Sequence, residues 1–557
     1  MYKKTEKNKE LNIFSDANSL LSDRRKRILE DEKRWYNSFR REILFRIDEG
    51  IFKVLYSEKM GAPNASVRVL VGMMVLKESF GWSDAELYDH CHFDITVMRA
   101  LNIYALDEDV PVESTYYLFK NRIYEYEKES GINLIEEGFK GITSSQVREY
   151  QVDGHVIRMD STMIGSNIAN YSRYEIIHRT LCVFLKSLKE KDWDKFSKVD
   201  RVELEDMLSE DAEKTVYNST SRDLKKKLIR LGVIIYKVIQ IFSYKSSEKY
   251  KTLCRVFEEQ YKTGGNGNGD IELKNKSEIS AKSVQSPYDT ECTYRKKGDK
   301  EVKGYSMNLT ETISEDKLNL ITDVQVEAVS TADVDYVEGA IRGSEEVTGQ
   351  EVRRVYADGA YNSANNDKIE GVEVICTGIQ GKESRYDIDI SENGEIIVTD
   401  EKTGETYKAE KVKRNNRSKS EKWYIKTDKR KIYFDKRAIE VSMKRKLLKQ
   451  MPKEELNKRN NVEATMFQLK FLLRNGKTRY RGKLKNVLWA YCRCLWINLR
   501  RIMLYSTKKI KESMKKAKDI VNNLTNSENT LNILTFYKKL QQEFSLVNFF
   551  VLFFLIF

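Results

Sequence analysis

The stretch VDGHVIRMDSTMI, residues 152–164, decides the fold class of this chain. Its apolar positions alternate with polar ones and include β-branched residues, a pattern typical of a strand. Asp160 lies in the middle of this predicted strand, next to the hydroxyl residues Ser161 and Thr162. A carboxylate in an apolar strand is costly unless it is paired or bound to a metal. Asp160 is therefore the first candidate functional residue.

Further strand patterns follow at 303–312, 319–330 and 352–361, with a helical pattern at 332–347 before the last of them. Residues 170–262 are helical and end at TGGNGNGD (263–270), a flexible break. Short strands around turns fill residues 386–435, and from residue 452 the chain is helical and basic. This order predicts an α/β protein with an RNase H-like mixed sheet flanked by helices.

The same patterns divide the chain into segments. They are a helical N-terminal domain (1–150), core strands (151–169 and 287–376), a helical insertion (170–286), a β-rich insertion (377–440), basic C-terminal helices (441–520) and a tail (521–557). Within the first segment, an apolar helix ends near Gly81 and Ser83 caps the next one. A further helix start is indicated at Ser114-Thr115. This module is of the helix-turn-helix kind, and a dimerisation bundle remains the alternative.

Positive charge is concentrated in one part of the chain. The whole chain has a net charge of +13, whereas residues 411–520 contain 35 basic and 9 acidic residues, a net +26. Basic residues interleaved with aromatic ones are expected of a protein that neutralises phosphates. The alternative, a generic lysine-rich surface, would spread the charge evenly. We therefore expect a nucleic-acid partner.

The cysteines and the two ends of the sequence indicate the cellular compartment of the protein. The seven cysteines are odd in number and scattered, and the lysine-rich start MYKKTEKNKE is not a signal peptide. The apolar tail 546–557 is too short to span a bilayer. We expect a cytoplasmic, nucleoid-associated protein with no membrane partner.

Two more acids join Asp160 as candidates. Asp358 lies where the apolar strand RVYADGAY ends in glycine, and Glu463 lies on the helix RNNVEATMFQLK (459–470). Three hard oxygen ligands suit Mg²⁺ or Mn²⁺, and two such ions would support in-line displacement at phosphorus. Each acid also has an ordinary explanation: a hydrogen-bonded strand acid, an Asx turn before glycine, and a partner for Arg459 at i−4.

The helix around Glu463 has two rows of side chains. Val462, Met466, Leu469 and Leu473 form a buried stripe, while Glu463, Phe467, Lys470 and Arg474 form a neighbouring row. An acid at the border of the core can reach a metal, and the cations beside it can bind phosphates.

Four stretches, VIRMDSTMIGSNIANYSR, SPYDTECTYRKKG with KGYSMNLTET, VYADGAYNS and RNNVEATMFQLKFLLRNGKTRYRGK, resemble the DDE transposases of bacterial insertion sequences. The resemblance implies that Asp160, Asp358 and Glu463 are the catalytic and metal-binding triad. It also implies phosphate contacts for Arg459, Lys470 and Arg474, which the charged row supports independently. Arg459, Glu463 and Lys470 keep the spacing of a related signature, but position 456 is Leu where that signature has Tyr.

This resemblance implies a transposase that binds the terminal inverted repeats and target DNA, acts as a homodimer, and cleaves and joins DNA strands with two Mg²⁺ or Mn²⁺ ions. Two other hypotheses stay open. One is a metal-dependent RNase H-like nuclease or resolvase without strand transfer. The other is a transposon-derived DNA-binding protein whose catalytic site has decayed.

Overall fold

The computed structural model describes residues 1–5, 21–57, 63–104, 110–243, 245–264, 271–314, 317–381, 383–391, 393–412, 421–428 and 430–525. It divides into two compact units, Met1–Leu499 and Arg500–Phe557. The predicted glycine-rich break lies outside the described residues from 265 to 270, and so does the apolar tail 546–557. No described helix is both long and apolar enough to cross a membrane.

The helices, in chain order, are α1 (Asp23–Glu30), α2 (Trp35–Glu42), α3 (Val67–Phe80), α4 (Asp84–Phe93), α5 (Ile95–Ala100), α6 (Glu113–Ser130), α7 (Leu134–Tyr150), α8 (Arg173–Leu185), α9 (Glu190–Trp193), α10 (Lys198–Ser209), α11 (Ala212–Tyr217), α12 (Ser221–Ile241), α13 (Glu248–Gln260), α14 (Val337–Thr348), α15 (Lys436–Gln450), α16 (Lys453–Asn457), α17 (Asn461–Lys470) and α18 (Lys483–Thr525).

The strands are β1 (Val156–Gly165), β2 (Tyr261–Thr263), β3 (Ile271–Leu273), β4 (Thr293–Lys297), β5 (Lys300–Thr312), β6 (Ile321–Ala328), β7 (Arg354–Ala357), β8 (Glu373–Cys376), β9 (Tyr386–Ile390), β10 (Ile396–Asp400), β11 (Thr406–Lys408), β12 (Glu410–Lys411), β13 (Lys422–Lys426) and β14 (Lys431–Asp435). The predicted α/β class is confirmed.

The main sheet is mixed and has β1 at its centre. Its order is β4-β5-β1-β7-β8, and β6 also pairs with β5. β1 is antiparallel to β5 and parallel to β7, while β7 is parallel to β8. Strands that are distant in the sequence therefore become direct neighbours on both sides of β1.

The two faces of β1 have different partners because successive side chains in a strand point to opposite faces. Ile157 and Met159 belong to a buried cluster with Val337 and Ile341 of α14. Arg158, Asp160 and Thr162 alternate with them and bond to residues of the segment 458–470. One face of β1 thus builds the apolar core, and the other is polar.

The N-terminal helices follow the capping signals in the sequence. α3 ends at Gly81, whose φ of 71° is a left-handed conformation that suits glycine. Ser83 and Glu86 form a capping box at the start of α4. Both predictions are confirmed. The start predicted at Ser114-Thr115 is wrong by one to two residues, since α6 begins at Glu113, where an acid in the first turn favours the helix dipole.

Two further modules interrupt the main sheet in the sequence. Helices α8 and α10–α13 share a separate core that includes Leu181, Phe184, Ile235 and Leu253. Strands β9–β14 form two three-stranded sheets, and α15 packs on them through a small apolar cluster. The turns predicted at Asn393-Gly394 and Thr403-Gly404 have glycines at φ 76° and 73°.

Gly304 of β5 lies where the backbones of β1 and β5 approach each other closely. A Cβ at this position would lie 2.1 Å from the main-chain oxygen of Ile164 and 2.8 Å from the nitrogen of Ser166. Because backbone atoms cannot move aside cheaply, we expect Gly304→Ala to lower the free energy of unfolding by about 3 kcal/mol. Gly141→Ala in α7 is the control, since no atom lies within 4 Å of its added Cβ and helix propensity favours alanine. Urea unfolding measures the stability of both variants. Equal midpoints for the two would contradict the close approach of the β1 and β5 backbones.

Candidate active site

Asp160 is a mostly buried acid with polar partners. Its side chain is 14% exposed, and one carboxylate oxygen accepts a hydrogen bond from the Ser161 main-chain nitrogen at 2.9 Å. The other oxygen accepts one from Arg459 Nη2 at 3.0 Å. The strand acid expected from the sequence therefore has an ionic partner from a segment about 300 residues away.

Asp358 follows β7 directly and lies near Asp160. Arg158 of β1 pairs with Tyr356 of β7 in the parallel register, two residues before each of the two acids, and the charge of Asp358 acts on the carboxylate of Asp160. The Asp358 carboxylate accepts a hydrogen bond from the Ala360 nitrogen at 2.8 Å. The Asx turn considered as its ordinary explanation is formed, and it also fixes the carboxylate at the carboxyl end of the strand.

The backbone after Asp358 lies close to a neighbouring loop. A Cβ on Gly359 would lie 2.7 Å from the main-chain oxygen of Gly378. A larger residue at 359 would push the turn away from this loop. Glycine at this position therefore helps to hold Asp358 at the end of β7.

Glu463 lies in the first turn of α17 and is 62% exposed. Its carboxylate is 3.1 Å from Arg459 Nη1, so the i, i+4 ion pair that the sequence suggested is formed. The same guanidinium contacts Asp160 through its other terminal nitrogen. Arg459 therefore links the acid on β1 with the acid on α17.

The surroundings of Asp160, including the other two acids, raise its pKa. Burial raises the pKa of Asp160, while the charge of Arg459 and the Ser161 hydrogen bond oppose this rise. The negative charges of Asp358 and Glu463 raise the pKa of Asp160 further. Acids from two distant segments thus act on the carboxylate of Asp160, which is the kind of arrangement that perturbs pKa values at functional sites.

The donor chemistry suits a hard divalent cation, but the described side chains do not form a ready-made cage. Among the described residues, no group of three His, Cys, Asp or Glu side chains is placed to hold a metal ion. The guanidinium of Arg459 supplies the positive charge between Asp160 and Glu463. Metal binding at these acids stays a prediction, and it requires this guanidinium to release them.

Of the other two predicted DNA-contacting cations, Lys470 is the last residue of α17 and Arg474 lies beyond the end of the helix. Lys470 Nζ donates to Thr162 Oγ1 on β1 at 2.7 Å, and burial followed by the charge of Lys300 lowers the pKa of Lys470. Arg474 is exposed. The predicted buried stripe is confirmed for Val462, Met466 and Leu469 and is wrong for Leu473, which is half-buried and lies beyond the end of α17.

A buried ion pair that sequence reasoning missed holds α17 on the sheet. Arg158 and Glu311 face each other on β1 and β5, and their side chains are joined at 2.5 Å. Glu311 also accepts a hydrogen bond from Thr465 of α17, and Arg158 donates to the carbonyl of Lys458. The available signal was a charged residue two positions before Asp160, which places both on the same face of the strand.

Asp333 is a fourth acid near the site that the sequence did not single out. It is buried, accepts a hydrogen bond from Ser161 Oγ at 2.8 Å, and lies 3.6 Å from Arg295. Its bond to Ser161 places it on the face of β1 opposite Asp160. Asp333 therefore supports the strand beside the candidate site.

The Arg158–Glu311 pair leads to a stability prediction. Glu311→Gln leaves a buried guanidinium without its counter-ion, so we expect the free energy of unfolding to fall by about 3 kcal/mol. The double variant Arg158→Met with Glu311→Leu removes both charges. Its loss of stability should be smaller than the sum of the losses for Arg158→Met alone and Glu311→Leu alone. Urea unfolding of the native protein, these two single variants and the double variant gives the coupling free energy between the two side chains. Additive losses would exclude a direct ionic interaction.

Comparison with known proteins gives one match. Residues 27–122, which include α2 to α5, match a family model described as "Transposase domain (DUF772)". No curated protein and no solved structure matches the chain. The match supports a transposase in general, and hence a DNA-binding enzyme.

Proposed function

We propose that this chain is a DDE transposase of a bacterial insertion sequence that binds the terminal inverted repeats and cleaves and joins DNA strands. One observation carries the proposal. Asp358 and Glu463 come from segments distant from Asp160 and from each other, and both still act electrostatically on the mostly buried carboxylate of Asp160, in a chain of which residues 27–122 match a transposase domain. The strand order around β1 supports an RNase H-like core.

In the proposed reaction, water attacks a backbone phosphorus at the element's end, and the bond from phosphorus to the 3′-oxygen breaks. The freed 3′-hydroxyl then attacks a phosphorus of target DNA, where the new bond forms and the target 3′-oxygen leaves. Asp160, Asp358 and Glu463 would hold Mg²⁺ or Mn²⁺, which supplies positive charge to the attacking and leaving oxygens. Arg459, Lys470 and Arg474 would bind phosphates and orient the strand.

A homodimer is part of the proposal because two inverted repeats define two equivalent ends. The helical module that contains residues 27–122 is proposed to bind these ends. It is also the feature that favours a transposase over a simple nuclease, which cleaves without recognising an element's ends.

The catalytic proposal is tested with DNA taken from the two flanks of the gene. With Mg²⁺ and a labelled duplex carrying such an end, the protein should produce a nick and then a joined product. Asp160→Asn, Asp358→Asn and Glu463→Gln should each slow both steps more than about 100-fold while binding persists. Glu454→Gln is the matched control, since it removes one acid from an exposed position on α16.

Each outcome decides between the hypotheses. Unchanged activity in any of the three variants removes that residue from the triad. Nicking without joining favours the nuclease or resolvase, and binding without metal-dependent cleavage favours the decayed DNA-binding protein.

The phosphate-binding proposal is tested by salt dependence. Because each neutralised phosphate releases counter-ions, Arg474→Ala should reduce the slope of log K against log salt by about 0.9 and weaken binding to all duplexes alike. Arg222→Ala removes an exposed arginine from α12 in the helical insertion and serves as the control. Fluorescence anisotropy over a range of salt concentrations measures both. Equal slopes for the two variants would rule out a phosphate contact at Arg474.

A further inference from the structure

Arg493 of α18 is a buried cation in an unusual position. It is 4% exposed and donates hydrogen bonds to main-chain carbonyls of two separate helices. Nη1 donates to Glu78 at 3.3 Å and to Ser79 at 3.0 Å. Nη2 donates to Gln468 at 2.5 Å and to Leu469 at 3.1 Å.

All four acceptors lie in the last turns of helices. Glu78 and Ser79 belong to the end of α3, and Gln468 and Leu469 to the end of α17. The last four carbonyls of a helix have no partner within it, and they form the negative end of the helix dipole. The guanidinium therefore satisfies the free ends of two helices at once, which its planar fork of donors allows.

The two helices have different roles in the proposed function. α3 lies within residues 27–122, which match the transposase domain, and α17 contains Glu463. A helix rises about 1.5 Å per residue, so Gln468 is only about 8 Å along the axis from Glu463. Any shift of the end of α17 is carried along the rigid helix to this acid.

Other contacts also hold the end of α3, and we refer to them, together with the hydrogen bonds of Arg493, as the junction. Tyr480, in the segment after α17, donates its hydroxyl to the carboxylate of Glu78, whose pKa is raised by burial. Arg479 donates to the carbonyl of Trp82 at 2.7 Å. Trp496 of α18 contacts the ring of Phe80 at a centroid distance of 5.0 Å. The end of α3 is thus joined to the segment that follows α17 and to α18.

We propose that Arg493 is a positioning residue, which couples the transposase domain to the helix that carries Glu463. The inference rests on the proposed function and deepens it. Binding of DNA to the N-terminal domain fixes the position of α17 through this junction. Arg493 touches neither DNA nor the reacting atoms. Its effect is on how Glu463 is held against Asp160 and Asp358.

The test uses Arg493→Lys in the full-length protein, because lysine keeps the charge but its single ammonium cannot bridge both helix ends. We expect affinity for the flanking-end duplex to stay within about twofold, while the cleavage rate at saturating DNA falls about 100-fold. Arg173→Lys makes the same change at a half-buried arginine of α8, in the helical insertion, that donates to the side chain and to the main-chain carbonyl of Gln260 at the end of α13, and it should retain the cleavage rate. A cleavage rate within twofold of the native value in Arg493→Lys, or parallel losses of affinity and rate, would overturn the proposal.

Hydrogen exchange provides a readout that does not depend on catalysis. Binding of the duplex should slow exchange of the α17 amides in the native protein, and this effect should disappear in Arg493→Lys. If the native protein shows the effect without cleaving DNA, the proposed function fails and the coupling stands. If exchange in α17 never responds to DNA, the coupling fails, whatever the cleavage result.

Tyr480→Phe keeps the ring but removes the hydroxyl that donates to Glu78, and it decides the matter if Arg493→Lys does not fold. We expect a smaller loss of cleavage rate, about 10-fold, at unchanged affinity. A native rate in a folded Tyr480→Phe protein with unaltered exchange in α17 would contradict the role of the junction.

Discussion

The structure depends on the polar face of the central strand. Arg158, Asp160 and Thr162 lie in a row on β1, where charged groups would be costly without partners. Each finds one in the segment that contains α17: the carbonyl of Lys458, the guanidinium of Arg459 and the ammonium of Lys470. The helix is therefore held by charged and polar contacts as well as by its apolar stripe.

This pairing explains why the candidate site is assembled from such distant segments. The sheet brings the end of β7 beside β1, and the polar face of β1 selects the helix that covers it. Glu311 of β5 completes the arrangement by pairing with Arg158 and accepting from Thr465. Removing one member leaves a buried partner unsatisfied, so the site and the stability of the core are linked.

Much of the local structure could be predicted from the sequence because its signals are local. Alternation gave β1, glycine and serine marked the boundary between α3 and α4, and apolar spacing gave the buried stripe of α17. The partners of the charged side chains could not be predicted. Arg459 was assigned to phosphates from its place beside Glu463, yet in the structure it contacts both Asp160 and Glu463. Arg493 was hidden in an apolar helix, where no periodicity indicates which carbonyls a cation will meet.

The sequence by itself determined the α/β class, the order of strands and helices, the basic segment 411–520 and the identity of three candidate acids. These follow from composition and from the two short periods of secondary structure, which need no knowledge of distant residues. Only the tertiary structure decided the sheet order, the ion pairs around Asp160 and the junction at Arg493. Such contacts join residues up to about 400 positions apart, and they depend on which buried charge is left to be satisfied once the chain has folded.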